Sequence, residues 1–196
     1  MSKVQTKQVL RDVYAVMAQL WCSPQDVDIE AVKRSAEEAI TELDGMDKEA
    51  AVLLAQFLEN RISEEEYVEL FELDPRCPLY LGSHVFDEPK TCAQAAVSDR
   101  NGYMIELLGM YRHLGLMPNG KELPDYLPLM VEFLSLTAES KDPIRERLMR
   151  EYILPYLPPI RSRLAELKTP YVYLLDVLER VLKLDLEAAT KGVSHG

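Results

Sequence analysis

Residues 170–186 read PYVYLLDVLERVLKLDL, and their spacing decides the fold class. Tyr171, Leu174, Leu175, Leu178, Val181, Leu182 and Leu186 recur every three or four positions, which stacks them on one stripe of a long helix opened by Pro170. Working back, Pro158-Pro159 opens a short helix to Lys168. Asp142-Pro143, an N-cap with proline at the first helical position, begins another that runs to about Pro155. The block Glu122-Leu123-Pro124-Asp125-Tyr126-Leu127-Pro128 leads into a helix carrying Met130, Phe133, Leu134 and Leu136, with Asp125 suited to cap it. From Ser98 the stripe is Tyr103, Leu107, Leu108, Tyr111 and Leu114, stopped by Gly115 in a left-handed turn.

The first half follows the same period. Leu10, Val13, Tyr14, Met17, Leu20 and Trp21 form one stripe, halted at Ser23-Pro24, and Ile29, Val32, Ala36, Ile40 and Leu43 form a second, closed by Asp44-Gly45. A third helix covers about Lys48 to Asn60. Ser63 with Glu66 spells a capping box that opens a short helix bearing Tyr67, Leu70 and Phe71 and ending at Asp74-Pro75. No alternating β pattern of useful length occurs. The sequence therefore predicts an all-α fold, a single-domain bundle of eight to ten helices over residues 1–190, with a frayed tail at 191–196. Residues 74–97, rich in proline and without a sustained period, read as a long central loop and a hinge, and a connection of that length is usually functional.

At 196 residues, 47% apolar and 28% charged, the chain has globular composition and can bury a core without staples. The net charge of −11 argues against nucleic acid as a partner. Residues 1–98 hold 9 Lys+Arg and 19 Asp+Glu, a net of −10, whereas residues 99–196 hold 13 and 14, a net of −1. That field either solvates the surface or attracts a basic partner. Three widely spaced cysteines (Cys22, Cys77, Cys92) read as reduced thiols, and the chain offers no secretory signal and no membrane-length apolar run, so a cytoplasmic location is expected.

Catalytic chemistry finds little support. There is no phosphate-binding loop and no dinucleotide fingerprint, and three histidines make a His-rich metal site implausible, so no enzyme activity, metal or cofactor is expected. His195 falls in the tail and His113 suits a helix C-terminus. His84, in the central loop beside Tyr80 and Phe86, suits a ligand or switch role. Asp74 and Asp125 sit at helix junctions beside proline, where capping and ligand contact are both open. Tyr67, Tyr103, Tyr111 and Tyr171 lie on core stripes, whereas Tyr80 and Tyr126 flank helix entries and can line a pocket.

These residues also carry a resemblance. Tyr67-Val68-Glu69-Leu70-Phe71, Asp74, Arg76, Pro78 and Leu79-Tyr80-Leu81 resemble one region of the NarJ-type chaperones, also called nitrate reductase delta subunits. Arg100, Leu107, Tyr111, Gly115-Leu116, the Glu122–Pro128 block and Glu132-Phe133-Leu134 resemble another, which the broader TorD/DmsD group shares in part. The resemblance implies a helical cytoplasmic chaperone that binds the N-terminal, often twin-arginine, segment of the catalytic subunit of a molybdopterin oxidoreductase and assists cofactor insertion. The client would be a nitrate reductase or another enzyme of the DMSO-reductase class. The implied peptide-binding set is Tyr67, Phe71, Asp74, Tyr80, His84, Pro124, Asp125, Tyr126 and Glu132, with the carboxylates supplying charge and Tyr80 and Tyr126 an apolar wall. Alternatives are a weak nucleotide-hydrolysing enzyme and a permanent subunit of a redox complex. The protein would act as a monomer or a dimer that exchanges helices through the hinge.

Overall fold

The computed structural model describes residues 3–60, 62–86 and 98–190. Among them are nine α-helices and no strand, within the range the periodicity predicts: α1 (Lys3–Leu20), α2 (Ile29–Asp44), α3 (Lys48–Glu59), α4 (Glu64–Phe71), α5 (Asp99–His113), α6 (Leu127–Leu136), α7 (Pro143–Arg147), α8 (Leu157–Glu166) and α9 (Tyr171–Thr190). Helix α1 is central, packing on α6, α2 and α9, while α9 also covers α3 and α8.

Local signals set most helix ends. Ser63 Oγ accepts the Glu66 N–H at 3.2 Å and Glu66 Oε2 accepts the Ser63 N–H at 2.8 Å, which completes the capping box. Asp142 caps α7 by accepting the Ile144 N–H at 2.9 Å. Gly115, at φ +79°, closes α5 with a Schellman turn in which Leu116 N–H reaches Tyr111 O at 2.9 Å. Lys168 makes the same turn after α8 at φ +54°, without glycine's freedom.

The stretch from Pro143 to Glu166 is bent rather than broken: α7 passes through a π turn at Leu148–Ile153 and a 3₁₀ turn at Leu154–Tyr156 into α8. Pro155 lacks the N–H that would continue the ladder. Within this bend the carbonyl of Tyr152 accepts from the Tyr103 hydroxyl at 2.9 Å.

Two features tie the bundle together. An aromatic cluster joins the end of α1 to α3, α4 and α9: Tyr171 stands 5.3 Å from Trp21, 5.3 Å from Phe57 and 4.7 Å from Phe71 between ring centroids. The second is a buried ion pair. Arg145 donates to Asp185 Oδ2 at 2.7 Å, to Leu134 O at 3.1 Å and to Thr137 Oγ1 at 3.2 Å, and the Tyr14 hydroxyl donates to the same Asp185 oxygen at 3.1 Å. Burial, then the Asp185 charge, drives the Tyr14 hydroxyl well above its ordinary pKa, so it remains a donor. The network links α1, α6, α7 and α9.

The segment expected as a hinge is described as far as Phe86. Cys77, Leu79 and Leu81 are buried in the core, and residues 79–81 pair with 125–127. Its remainder, residues 87–97 with Cys92, lies outside the described residues, as do His195 and the tail at 191–196.

Candidate functional site

The Glu122–Pro128 block meets the 79–84 segment through one antiparallel bridge. Leu81 N–H donates to Asp125 O at 3.0 Å and Leu127 N–H donates to Leu79 O at 2.8 Å, with Tyr80 opposite Tyr126 between them. In such a non-hydrogen-bonded pair the side chains lie close together. The two rings stand 5.3 Å apart, and the Tyr80 hydroxyl donates to Glu122 Oε2 at 2.6 Å. Pro124 is buried, with its carbonyl accepting from the Tyr111 hydroxyl at 2.6 Å. Pro128 enters α6 in the first turn, where its missing N–H breaks no bond.

This bridge borders a groove of about 390 Å³ between α1 and α6. Its apolar surfaces are Ala15, Ala18, Tyr126, Pro128, Leu129 and Leu136, and Glu122, Glu132 and Lys121 supply its charges. Cys22 lies at one end, where burial, reinforced by the charges of Asp26 and Glu132, pushes its thiol up to about 11. The thiol donates to Ala18 O and is a poor nucleophile. Gln19 and Cys22 also line a neighbouring groove of about 510 Å³ bounded by α1, α2 and α3. The two depressions thus flank the last turn of α1.

The structure sorts the expected residues into three groups. Tyr126 and Glu132 line the α1–α6 groove, and Tyr80 supports it from the rim. Tyr67 and Phe71 do not reach the surface, as their rings belong to the aromatic cluster. The Tyr67 hydroxyl donates to Trp21 O at 2.9 Å, and that of Tyr126 reaches it from the groove side, burial raising the Tyr126 pKa to about 12.

The third group stands outside the groove lining, and in it one reading, the Asp125 cap, is corrected. Asp125 neither caps α6 nor faces solvent: it is 0% exposed, and its Oδ2 accepts the Gly82 N–H at 2.9 Å. The α6 cap position is Tyr126, which uses no side-chain bond. The His84 ring is committed to Pro78 O, 2.7 Å from Nε2, and burial lowers its pKa, so a neutral ring donates there and is not poised as a ligand. Asp74 is exposed at φ +50°, turning the chain after α4, and lines neither groove. Sequence reading missed Ala15, Ala18 and Leu129, which fall outside the helical stripes that it named.

Among the described residues no group of His, Cys, Asp and Glu is placed to hold a metal, and no helix is long and apolar enough to cross a membrane. Fold and groove together define an all-helical domain that carries, between α1 and α6, a cleft with an apolar floor and acidic edges. Comparison with known sequences sharpens this. Residues 40–172 match the nitrate reductase delta subunit family, and the chain belongs to that family.

The chain is 30% identical to the probable nitrate reductase molybdenum cofactor assembly chaperone NarW of Escherichia coli (strain K12), over 74% of this chain and 61% of that protein. It is 29% identical to the nitrate reductase molybdenum cofactor assembly chaperone NarJ of the same strain, over 77% and 61%. A probable chaperone of the same description from Bacillus subtilis (strain 168) is 30% identical over 61% of this chain and 58% of its own length. The chain spans about three fifths of the length of these curated relatives.

Proposed function

We propose that this protein is a cytoplasmic assembly chaperone for a molybdenum-containing oxidoreductase, such as a nitrate reductase. It would hold the N-terminal segment of the catalytic subunit in the α1–α6 groove while cofactor is inserted. The observation that carries the reading is the groove itself: an apolar floor between two helices, edged by Glu122 and Glu132 with Asp26 close by, in a relative of assembly chaperones. Such a cleft suits an amphipathic helix that brings leucines to the floor and arginines to the carboxylates. Lys121 at one end would set the direction in which the segment lies.

Calorimetry with a synthetic peptide carrying two adjacent arginines and a leucine-rich stretch tests this. Wild type should bind, Tyr126→Ala should weaken binding by about tenfold or more as a central aromatic anchor, and Glu132→Gln should weaken it by a smaller factor that shrinks with salt. Absence of binding by wild type to this peptide and to client N-terminal peptides overturns the reading. Co-purification with the cofactor-loaded client would point to a resident subunit instead.

A further inference from the structure

Gly82 and Asp125 are 43 residues apart in the chain and closed on one another. A Cβ on Gly82 would stand 2.9 Å from Asp125 Oδ2 and 3.3 Å from the Phe86 ring, so the approach requires glycine. The other carboxylate oxygen, Oδ1, has no hydrogen-bond partner among the described residues. Neither does Arg100 Nε, a buried atom that lies 3.6 Å from the same Cβ position. The bond that the Asp125 side chain makes across the two segments is to the Gly82 amide. That bond reinforces the Tyr80–Tyr126 bridge beside it, and the bridge places two parts of the groove lining, the Tyr126 ring and, through the Tyr80 hydroxyl, Glu122.

A carboxylate with no exposed surface cannot pair with an arginine lying in the groove. It can only decide where its neighbours stand. We propose that Asp125 is a positioning residue for peptide binding: it acts through Gly82 and Tyr126 as a hydrogen-bond acceptor, and its negative charge makes no contribution to holding the peptide. This rests on the α1–α6 groove being the peptide site.

The two roles separate cleanly by substitution. Asparagine at position 125 keeps an acceptor oxygen for the Gly82 N–H and removes the charge, alanine removes both, and Gly82→Ala forces the clasp apart with Asp125 intact. Affinity for the same twin-arginine, leucine-rich peptide is measured by calorimetry at several salt concentrations, with exchange of the Leu81 and Gly82 amides followed in the unliganded proteins. The expected result is that Asp125→Asn binds within about twofold of wild type with an unchanged salt dependence. Asp125→Ala and Gly82→Ala should each lose about tenfold and exchange the two amides faster, with helix content retained.

The proposal is overturned if Asp125→Asn loses affinity and flattens the salt dependence as much as Asp125→Ala does, or if Gly82→Ala binds like wild type. If wild type fails to bind the peptide, the groove reading falls. Amide exchange that is equal in Asp125→Ala and wild type would then also remove the clasp.

Discussion

Asp185 and Asp125 are both buried, at 5% and 0% exposure, yet one is surrounded by donors and the other meets almost none. Asp185 receives Arg145 and the Tyr14 hydroxyl, and Arg145 is itself satisfied by Leu134 and Thr137. Asp125 accepts the Gly82 amide, has the Arg100 charge nearby, and keeps an oxygen with no hydrogen-bond partner among the described residues. A low-dielectric interior strengthens a complete network and penalises an incomplete one. The first carboxylate therefore belongs to the frame, locking four helices. The second contributes little stability and much geometry, fixing two non-helical segments beside the groove.

The comparison can be broken in a graded way. Arg145→Ala should be the most damaging change, costing about 3–5 kcal/mol by leaving the Asp185 charge buried and uncompensated, measurable by urea unfolding. Tyr14→Phe keeps the ring and removes one donor to that carboxylate, which should cost about 1.5–3 kcal/mol in the same assay. At the other site Asp125→Ala should cost only about 1 kcal/mol, since orphaning the Gly82 N–H is offset by removing a poorly satisfied charge. A larger loss there than at Tyr14 would erase the distinction.

Asp125→Asn should be close to neutral near pH 7, and its effect should depend on pH with a definite sign. Burial raises the Asp125 carboxyl pKa, with the Gly82 amide and Arg100 pulling against it. Folded protein therefore binds this proton at higher pH than the unfolded chain does. Relative to Asp125→Asn, wild type should gain stability as pH falls from the folded value toward the unfolded aspartate value of about 3.9. Parallel unfolding curves for the two proteins over that range measure it, and a gain on raising the pH would reverse the assignment.

What could be read from the sequence follows the same divide between local and distant partners. The Ser63–Glu66 box, the Asp142-Pro143 start and the Gly115 stop act within one helical turn, so neighbouring residues announce them. The α9 stripe was legible from period alone, although Asp185 interrupts it as a buried polar residue. Its partners lie 40 and 171 positions away, and no spacing rule connects them. Asp125 misled for that reason: beside Pro124 at a helix entry it reads as a cap, while the amide it serves belongs to Gly82. The Glu122–Pro128 block stood out in the sequence, and the contacts within it emerged only when the 79–84 segment was laid against it. Pro155 announced a stop, and the chain bent instead, through the π and 3₁₀ turns around it.

The cleft between α1 and α6 is made as much by absence as by presence. On α1 its walls are Ala15 and Ala18, two of the smallest side chains available, set against Pro128 and Leu129. Its width is therefore a quantity that one helix can alter by single substitutions, enlarging a methyl group into the cleft while the frame around Asp185 stays untouched. Under the proposed peptide-binding reading, bulk at these two positions would set which segments the cleft admits. Recognition in such a protein is free to drift faster than its architecture.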